Sequence, residues 1–554
     1  MATSTGVDLG EKKLEQNFDS NTETESGDNG SLPPSYDHTH RKLKSRHVQL
    51  IGIGGTIGTA LYVQIGRALM KGGPASLFIA FTFWCAVILC INNSMSEMVT
   101  YLPISSPFIR FSGRFVDESF GVAAGWNFFI FEAAMVPFEI VACTQILEYW
   151  GTSEKLPAGV IIAICIVLYA LINLVMVKFY GESEFWLALG KLLLIVGLIL
   201  FTFITMVGGN PARDAYGFRF WNDPGAFAEH YTTGSLGKFL GFTACLIQAS
   251  FTIAGPDYVA ISAGESENPR VTMPRAFKAV FYRLTAFFVL GSLAVGVVVP
   301  YNDPGMKAAF LQGLPGAAAS PYVLAMGRMK ISFLPHLVNA LVLTSAFSAG
   351  NSYVYCASRC LYGLALDGQA PAVFKRCTRN GVPIYAVLLV LAIALLSFLQ
   401  VSNSAAVVLS WFVSLVTASQ LINFSVMSVT YLYFLKALKA QGISRDSLPH
   451  KSWGQPYTTY FALVCTVVMT FVGGYEVFLK GNWNIPTFLF SYTMCAVFPA
   501  ILIGWKYTKG TKVPAPAEVN LFVQEREEID EYTESFVPEI PRNNFIKYWD
   551  KIFG

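Results

Sequence analysis

The most constraining feature of this 554-residue chain is a series of about twelve apolar stretches, each roughly 20 residues long. A single segment crosses a bilayer as an α-helix, because only a helix satisfies its own backbone hydrogen bonds in lipid. Charged residues make up 14% of the chain, against about 25% in soluble proteins, which agrees with extensive lipid contact. The sequence predicts an all-α polytopic membrane protein whose spans are approximately 48–69, 75–101, 122–149, 159–178, 184–208, 239–263, 276–300, 334–366, 384–401, 405–434, 457–479 and 487–507.

The charges outside the spans predict an orientation. Lys and Arg are more frequent before the first span and in the even-numbered loops, which favours cytoplasmic positions for both termini. We expect a disordered cytoplasmic N-terminal tail (1–46), a transmembrane transporter domain (47–507) and a cytoplasmic C-terminal tail (508–554). The chain begins without an apolar signal core, so the first span is expected to act as an uncleaved signal-anchor.

Several functional classes are disfavoured. A net charge of +3 is too small to indicate nucleic-acid binding. The sequence has no CxxC pair, no cofactor-binding loop and no nucleophile–base set, so we expect no metal, no cofactor, no catalytic residue and no enzymatic activity. The expected partners are a small solute, protons and membrane lipid.

Two spans are interrupted by residues that break helices. The first span contains a glycine-rich run made of Gly54, Gly55, Thr56, Gly58 and Thr59, and the sixth contains Ala254-Gly255-Pro256-Asp257 directly after Phe251. Paired breaks in corresponding halves indicate a midplane binding site in a secondary transporter, here with a five-plus-five inverted repeat and broken helices 1 and 6. Backbone N–H groups at the first break would favour a carboxylate, although glycines that permit close helix packing are the alternative.

Ionisable residues inside the spans are the other candidates for the site. Asp257 can hold a substrate ammonium or a proton, or can cap the half-helix that follows it. Glu132 and Glu139 are seven residues apart and share a helix face, where a cationic substrate or a partner such as Lys191 would neutralise them. Lys191 can lose its proton when desolvated, which makes it a candidate coupling group, or it can extend to the membrane interface.

Long motifs in this chain resemble the fungal amino acid permeases of the amino acid–polyamine–organocation superfamily, over roughly 42–507. The motifs are Ile53-Gly54-Gly55-Thr56-Ile57-Gly58-Thr59-Ala60-Leu61, Phe251-Thr252-Ile253-Ala254-Gly255-Pro256-Asp257, Ala263-Gly264-Glu265-Ser266-Glu267-Asn268-Pro269-Arg270 and Ser348-Ala349-Gly350-Asn351-Ser352. The resemblance implies proton symport at the plasma membrane, with the substrate carboxylate at the first break and its amino group near the second. It also implies that Lys191 is the coupling lysine.

The chain departs from the usual permease pattern at three places. Gly255-Pro256-Asp257 replaces the common Gly-Thr-Glu, Ala60 replaces a glycine, and Glu132 is an added acid. This combination resembles the subgroup associated with carnitine and polyamine uptake. The sequence therefore predicts a proton-coupled importer of amino acids or related amines. A carnitine or polyamine permease and a non-transporting sensor are the alternatives.

The N-terminal tail contains one short recognition pattern. Pro33-Pro34-Ser35-Tyr36 matches PPxY, a ligand of WW domains. Lysines lie nearby at positions 12, 13, 42 and 44. The pattern indicates recruitment of a WW-domain ubiquitin ligase through Pro33, Pro34 and Tyr36.

Overall fold

A computed structural model of the chain describes residues 48, 52, 58–104, 106–152, 155–175, 177–312, 320–378, 381–521 and 523–535. These residues belong to one compact unit. Their regular structure is helical throughout, with no β-strand in the described ranges. The predicted all-α polytopic class is confirmed.

The long helices follow the order of the predicted spans. They are α1 (Ala60–Tyr101), α2 (Glu118–Leu147), α3 (Ala158–Leu174), α4 (Val177–Met206), α5 (Gly234–Thr252), α6 (Pro256–Ile261), α7 (Pro269–Val298), α8 (Leu334–Leu366), α9 (Ile384–Val401), α10 (Ala405–Ala440), α11 (Tyr457–Val472), α12 (Ile485–Lys509) and α13 (Val523–Ser535). Short helical turns connect them at Pro107–Phe111, Ser112–Val116, Glu148–Trp150, Arg219–Asn222, Ser262–Glu265, Pro304–Lys307, Ala308–Gln312, Pro321–Arg328, Ala372–Lys375, Arg445–Ser447 and Tyr475–Phe478.

Eight helical stretches of the described residues are long and apolar enough to cross a membrane: α1, α2, the later part of α4, α5 together with α6, α7, α9, α10 and α12. α3 and α11 are apolar but shorter. α8 is 33 residues long and carries a run of polar side chains, which lowers its apolarity. Since α1 contains the second predicted span and the later part of the first, each predicted span overlaps a helix within the described residues.

The first two spans are joined by a bend instead of a loop. Gly73 has φ +80°, a left-handed conformation that favours glycine, and Pro74 follows it. A Cβ at Gly73 would lie 2.7 Å from Ala228 N, and Ala228 N donates a hydrogen bond to Gly72 O at 2.9 Å. The bend is therefore packed directly against the segment that precedes α5.

Some helix ends differ from the predicted span ends. The eleventh span ends at Val472 and not at 479, because Gly473 and Gly474 follow and the chain turns. Span five was expected from 184, but α4 begins at Val177, and α10 runs to Ala440, beyond the expected 434. Hydropathy marks the part of a helix that lies in lipid, whereas backbone hydrogen bonding continues into the polar boundary.

α2 is the central helix of the packing. It packs against α8 and α10, while α1 packs against α5. Buried amides join these helices: Asn127 on α2 donates to Ser419 O at 2.9 Å and to Asn423 Oδ1 at 2.8 Å. Asn339 on α8 donates to Ile146 O at 3.0 Å. Such bonds satisfy polar groups that lipid cannot, and they join α2 to α8 and α10.

Candidate functional site

The break in the sixth span is present. α5 ends at Thr252, residues 253–255 are not helical, and α6 starts at Pro256. Proline has no N–H and fits the first position of a helix, which explains where α6 begins. An added Cβ at Gly255 would make only ordinary contact, 3.5 Å from Val280 Cγ1. The proline, and not crowding at the glycine, therefore accounts for the interruption.

The carbonyls released by this break need partners, because water is scarce at this depth. Gln420, buried on α10, donates from Nε2 to Ile253 O at 3.4 Å. Gln420 was not among the residues predicted from the sequence. It could have been predicted, because it belongs to a polar run, Thr417-Ala418-Ser419-Gln420, inside an otherwise apolar span.

Asp257 lies in the first turn of α6 and is 1% exposed. Its Oδ1 accepts a hydrogen bond from Gly255 N at 3.3 Å. The carboxylate thus satisfies one N–H at the start of the half-helix, as the capping alternative requires. The backbone N–H groups of Tyr258 and Asp257 also interact with this carboxylate. A carboxylate has roughly four lone-pair sites, so capping and ligand binding are compatible.

Glu132 on α2 faces the same region and is fully buried. It lies within electrostatic range of Asp257 and Tyr258. The Tyr258 side chain interacts with this carboxylate, and no cation among the described residues does. Two acids therefore lie near each other in a space that excludes bulk water, and the space requires either a cation or protons.

Glu139, the other acid on α2, contacts the start of α1. Thr59 Oγ1 donates a hydrogen bond to Glu139 Oε2. A Cβ at Gly58 would lie only 2.9 Å from Glu139 Oε1, so glycine is needed there by close approach. These contacts place the end of the glycine-rich run directly beside an acid of α2.

Lys191 on α4 is 2% exposed and does not extend to the interface. Its side chain interacts electrostatically with Glu139, the partner that the sequence suggested. Its backbone carbonyl accepts a hydrogen bond from Tyr62 Oη at 2.9 Å. The lysine is therefore connected to the first span through both its charge and its backbone.

The remaining predicted residues divide into two groups. Phe251 is buried and its ring packs edge-to-face on Phe138, with centroids 5.3 Å apart, and Ala254 lies within the break. Gly54, Gly55 and Thr56 lie outside the described residues, so the predicted first break stays a prediction. The PPxY residues Pro33, Pro34 and Tyr36 also lie outside that part of the chain.

Two tyrosines join the site without having been predicted. Tyr258 on α6 and Tyr353 on α8 are buried, and both interact with Glu132 and Asp257. Tyr258 directly follows the predicted Asp257, so its position was an available signal. Tyr353 is brought in only by the packing of α8 on α2. Together with the three acids and Lys191 they form a buried, polar, predominantly acidic cluster suited to a cationic group or to protons.

Both the sequence and the fold of this chain have known relatives. The sequence profile of the "Amino acid permease" family matches residues 47–516. General amino acid permease AGP2 of Saccharomyces cerevisiae is 51% identical over 477 residues, covering 85% of this chain and 80% of that protein. The proline-specific permease of Emericella nidulans is 41% identical over 93% of this chain and 94% of its own length.

A lysine-specific permease of Saccharomyces cerevisiae is 37% identical over 84% of this chain and 75% of its own. Among solved structures, the manganese transporter of Eremococcus coleocola matches with a TM-score of 0.53 at 12% identity, over 88% of this chain and 94% of that one. The structural match concerns the fold alone. The curated relatives named here are all permeases.

Proposed function

The chain belongs to the amino acid permease family, and we propose that it imports amino acids or related amines, driven by protons, across the plasma membrane. The observation that carries the proposal is the buried pair of Glu132 and Asp257 beside a break in the sixth span. A substrate ammonium between these two carboxylates would supply the positive charge that the described residues around Glu132 lack.

The negative charge of the substrate carboxylate suits the first break. The carboxylate is proposed to bind backbone N–H groups near Gly54, Gly55, Thr56 and Gly58, where a half-helix end favours anions. Thr59 borders this place, since it contacts Glu139. The side of the substrate site that faces α2 would be lined by Phe251, Ala254 and Gly255.

Lys191 is proposed to couple proton movement to transport. It is buried and interacts with Glu139, which itself contacts Thr59 at the start of α1. A proton gained or lost in this group changes the charge balance at α1 and thereby the position that α1 prefers. The coupling is a proposal from geometry and from family membership.

Transport assays with reconstituted protein test these roles together. In proteoliposomes with an imposed proton gradient, we expect saturable uptake of amino acids by the unaltered protein. Asp257→Asn should lower uptake at least tenfold, about 1.4 kcal/mol of binding free energy. Lys191→Met should remove the dependence on the gradient. Asp446→Asn is the matched control, because Asp446 is an acid with a 76% exposed side chain far from the site in sequence.

Three results would contradict the proposal. Normal uptake by the Asp257→Asn protein would remove this acid from the mechanism. Saturable binding without flux in the unaltered protein would favour the sensor alternative. Equal uptake with and without the gradient would reject proton coupling.

A more cationic substrate is the second candidate, because the buried carboxylate of Glu132 lies beside an acid, Asp257, and a tyrosine, Tyr258. A carnitine or polyamine permease would use the excess of acids, since three carboxylates face a single lysine in the cluster. Competition of one labelled amino acid by lysine, carnitine and spermidine, in unaltered and Glu132→Gln protein, distinguishes the candidates. If lysine, carnitine and spermidine compete with the labelled amino acid in the unaltered protein but not in the Glu132→Gln protein, the site is cation-selective.

The cellular setting is part of the proposal. We propose that both termini lie in the cytoplasm, which the distribution of Lys and Arg favours. The PPxY pattern at Pro33, Pro34 and Tyr36 is proposed to bind a WW-domain ubiquitin ligase there. Binding of an isolated WW domain to the tail, compared with Tyr36→Ala, tests this; equal binding would reject it.

A further inference from the structure

Arg283 carries a charge that nothing in the described ranges neutralises. Its three guanidinium nitrogens are buried and have no hydrogen-bond partner among the described residues. No acidic side chain in those ranges pairs with it either. Arginine stays protonated in proteins, and an uncompensated buried charge is strongly unfavourable. A buried guanidinium of this kind can bind an anionic ligand.

The position of Arg283 relates it to both broken spans. A Cβ built on Gly52 would lie 2.8 Å from Arg283 Nη1 and 2.9 Å from Val259 Cγ2. Gly52 precedes the predicted first break, and Val259 follows the second break on α6. Because these two residues are neighbours, Gly52 and α6 lie on one side of the central site. With a cytoplasmic N-terminus, that side is the cytoplasmic one.

The backbone at Arg283 is also irregular. The α-helical part of α7 ends at Arg283 and a π-helical turn, Leu284–Val289, continues it. Such turns are frequent at functional sites, because they re-aim side chains and leave a carbonyl without its usual partner. Here Leu284 O is approached by Cys85 Sγ at 3.7 Å. Arg283 directly precedes this turn and lies beside Gly52.

We infer that Arg283 forms a second, inner carboxylate site, which binds the substrate carboxylate as the substrate leaves the central site towards the cytoplasm. The inference rests on the proposed function. The planar guanidinium matches a carboxylate through two parallel hydrogen bonds. Glu132 and Asp257 attract an ammonium and repel a carboxylate, so the two ends of a zwitterion have separate and opposite partners. Arg283 thereby stabilises the substrate after it has left the central site and before it reaches the cytoplasm.

The experiment compares the two faces of the membrane with substrates that differ only in the carboxylate. Right-side-out and inside-out vesicles containing the full chain are assayed with labelled lysine against cadaverine and with labelled proline against pyrrolidine. The variants are Arg283→Gln and Arg283→Lys. Lys278→Gln is the matched control, because it removes an exposed cation from the same helix.

We expect Arg283→Gln to raise the half-saturation concentration of lysine or proline at least tenfold at the cytoplasmic face. At the external face the change should stay within twofold. The decarboxylated amines should change less than twofold at both faces. Arg283→Lys should recover part of the effect, since it keeps the charge without the planar fork. The Lys278→Gln protein should behave as the unaltered one.

Equal shifts at both faces, equal shifts for acids and amines, or no shift would overturn the inference and leave Arg283 a structural residue. If Arg283→Gln does not give a monodisperse protein, Gly52→Ala replaces it. The new methyl group displaces the guanidinium and should give the same asymmetry in milder form, and a symmetric result would reject the site. Absence of flux in the unaltered protein would instead reject the proposed function itself.

Discussion

At the scale of single residues, the acids of α2 depend on small neighbours that leave room for them. Gly350 on α8 lies against Glu139: an added Cβ would be 3.1 Å from Glu139 Cβ and would overlap the hydroxyl of Tyr169. Tyr169 in turn donates to Phe347 O at 3.2 Å. The position of Glu139 is therefore fixed by the absence of a side chain on a different helix.

Gly350→Ala is expected to destabilise the protein by about 1–3 kcal/mol, because the methyl group must displace Tyr169 or Glu139. It should also reduce transport, since Glu139 contacts Thr59 at the start of α1. Gly363→Ala on the same helix is the matched control, because an added Cβ there meets no atom within 4 Å. Thermal unfolding in detergent measures both, and an equal melting temperature for the two variants would contradict the packing argument.

At the scale of elements, one carboxylate joins three segments near the Gly73 bend of α1. Glu476, in the turn Tyr475–Phe478 after α11, accepts from Lys71 Nζ at 2.7 Å and from Tyr231 Oη at 3.2 Å. His230 Nε2 lies 3.3 Å away. Burial by itself would raise the pKa of Glu476, but Lys71 and His230 outweigh it and lower the pKa to about 2. The acid therefore stays charged wherever the protein is functional.

The sign of the pH dependence follows from this shift. A carboxylate whose pKa is lower in the folded state stabilises the protein above its unfolded pKa of about 4.3, and this contribution disappears as the pH falls towards 2. Glu476→Gln should lower the free energy of unfolding by about 2 kcal/mol at pH near 5.5.

The gap in melting temperature between unaltered and Glu476→Gln protein should narrow by at least half at about pH 3. Glu518→Gln, which removes an exposed acid, should leave the melting temperature unchanged at both values. A gap that stays constant down to pH 3 would show that Glu476 is not stabilised as a carboxylate.

At the scale of the whole molecule, residues near the C-terminus return to helices from both halves of the chain. Arg270, at the start of α7, pairs with Asp530 of α13 at 2.7 Å and donates to Tyr101 O at 2.7 Å. Tyr101 Oη donates to Leu521 O at 2.9 Å. Ile529 is buried. α13 is thus attached beside the C-terminal end of α1 and the start of α7.

Asp530→Asn should weaken this attachment by about 1.5 kcal/mol, because it removes one charge-assisted pair. Amide hydrogen exchange in Val523–Ser535 should then be roughly tenfold faster, while exchange in α2 is unchanged. Glu531→Gln, an exposed acid in the same helix, is the control. Unchanged exchange in the Asp530→Asn protein would mean that apolar contacts alone hold α13.

By itself the sequence determined the membrane class, the order of the spans and the interruption at Pro256, because length, apolarity and a missing N–H are local properties. It also identified Glu132, Glu139, Asp257 and Lys191, since an ionisable residue in an apolar span is conspicuous wherever it lies. Tertiary structure decided which of these groups meet. Gln420, Tyr353, Gly350 and Arg283 come from helices distant in the chain, and only packing shows that Glu139 faces Lys191 while Arg283 faces Gly52. Contacts between helices depend on how whole surfaces fit together, and no local pattern encodes that fit.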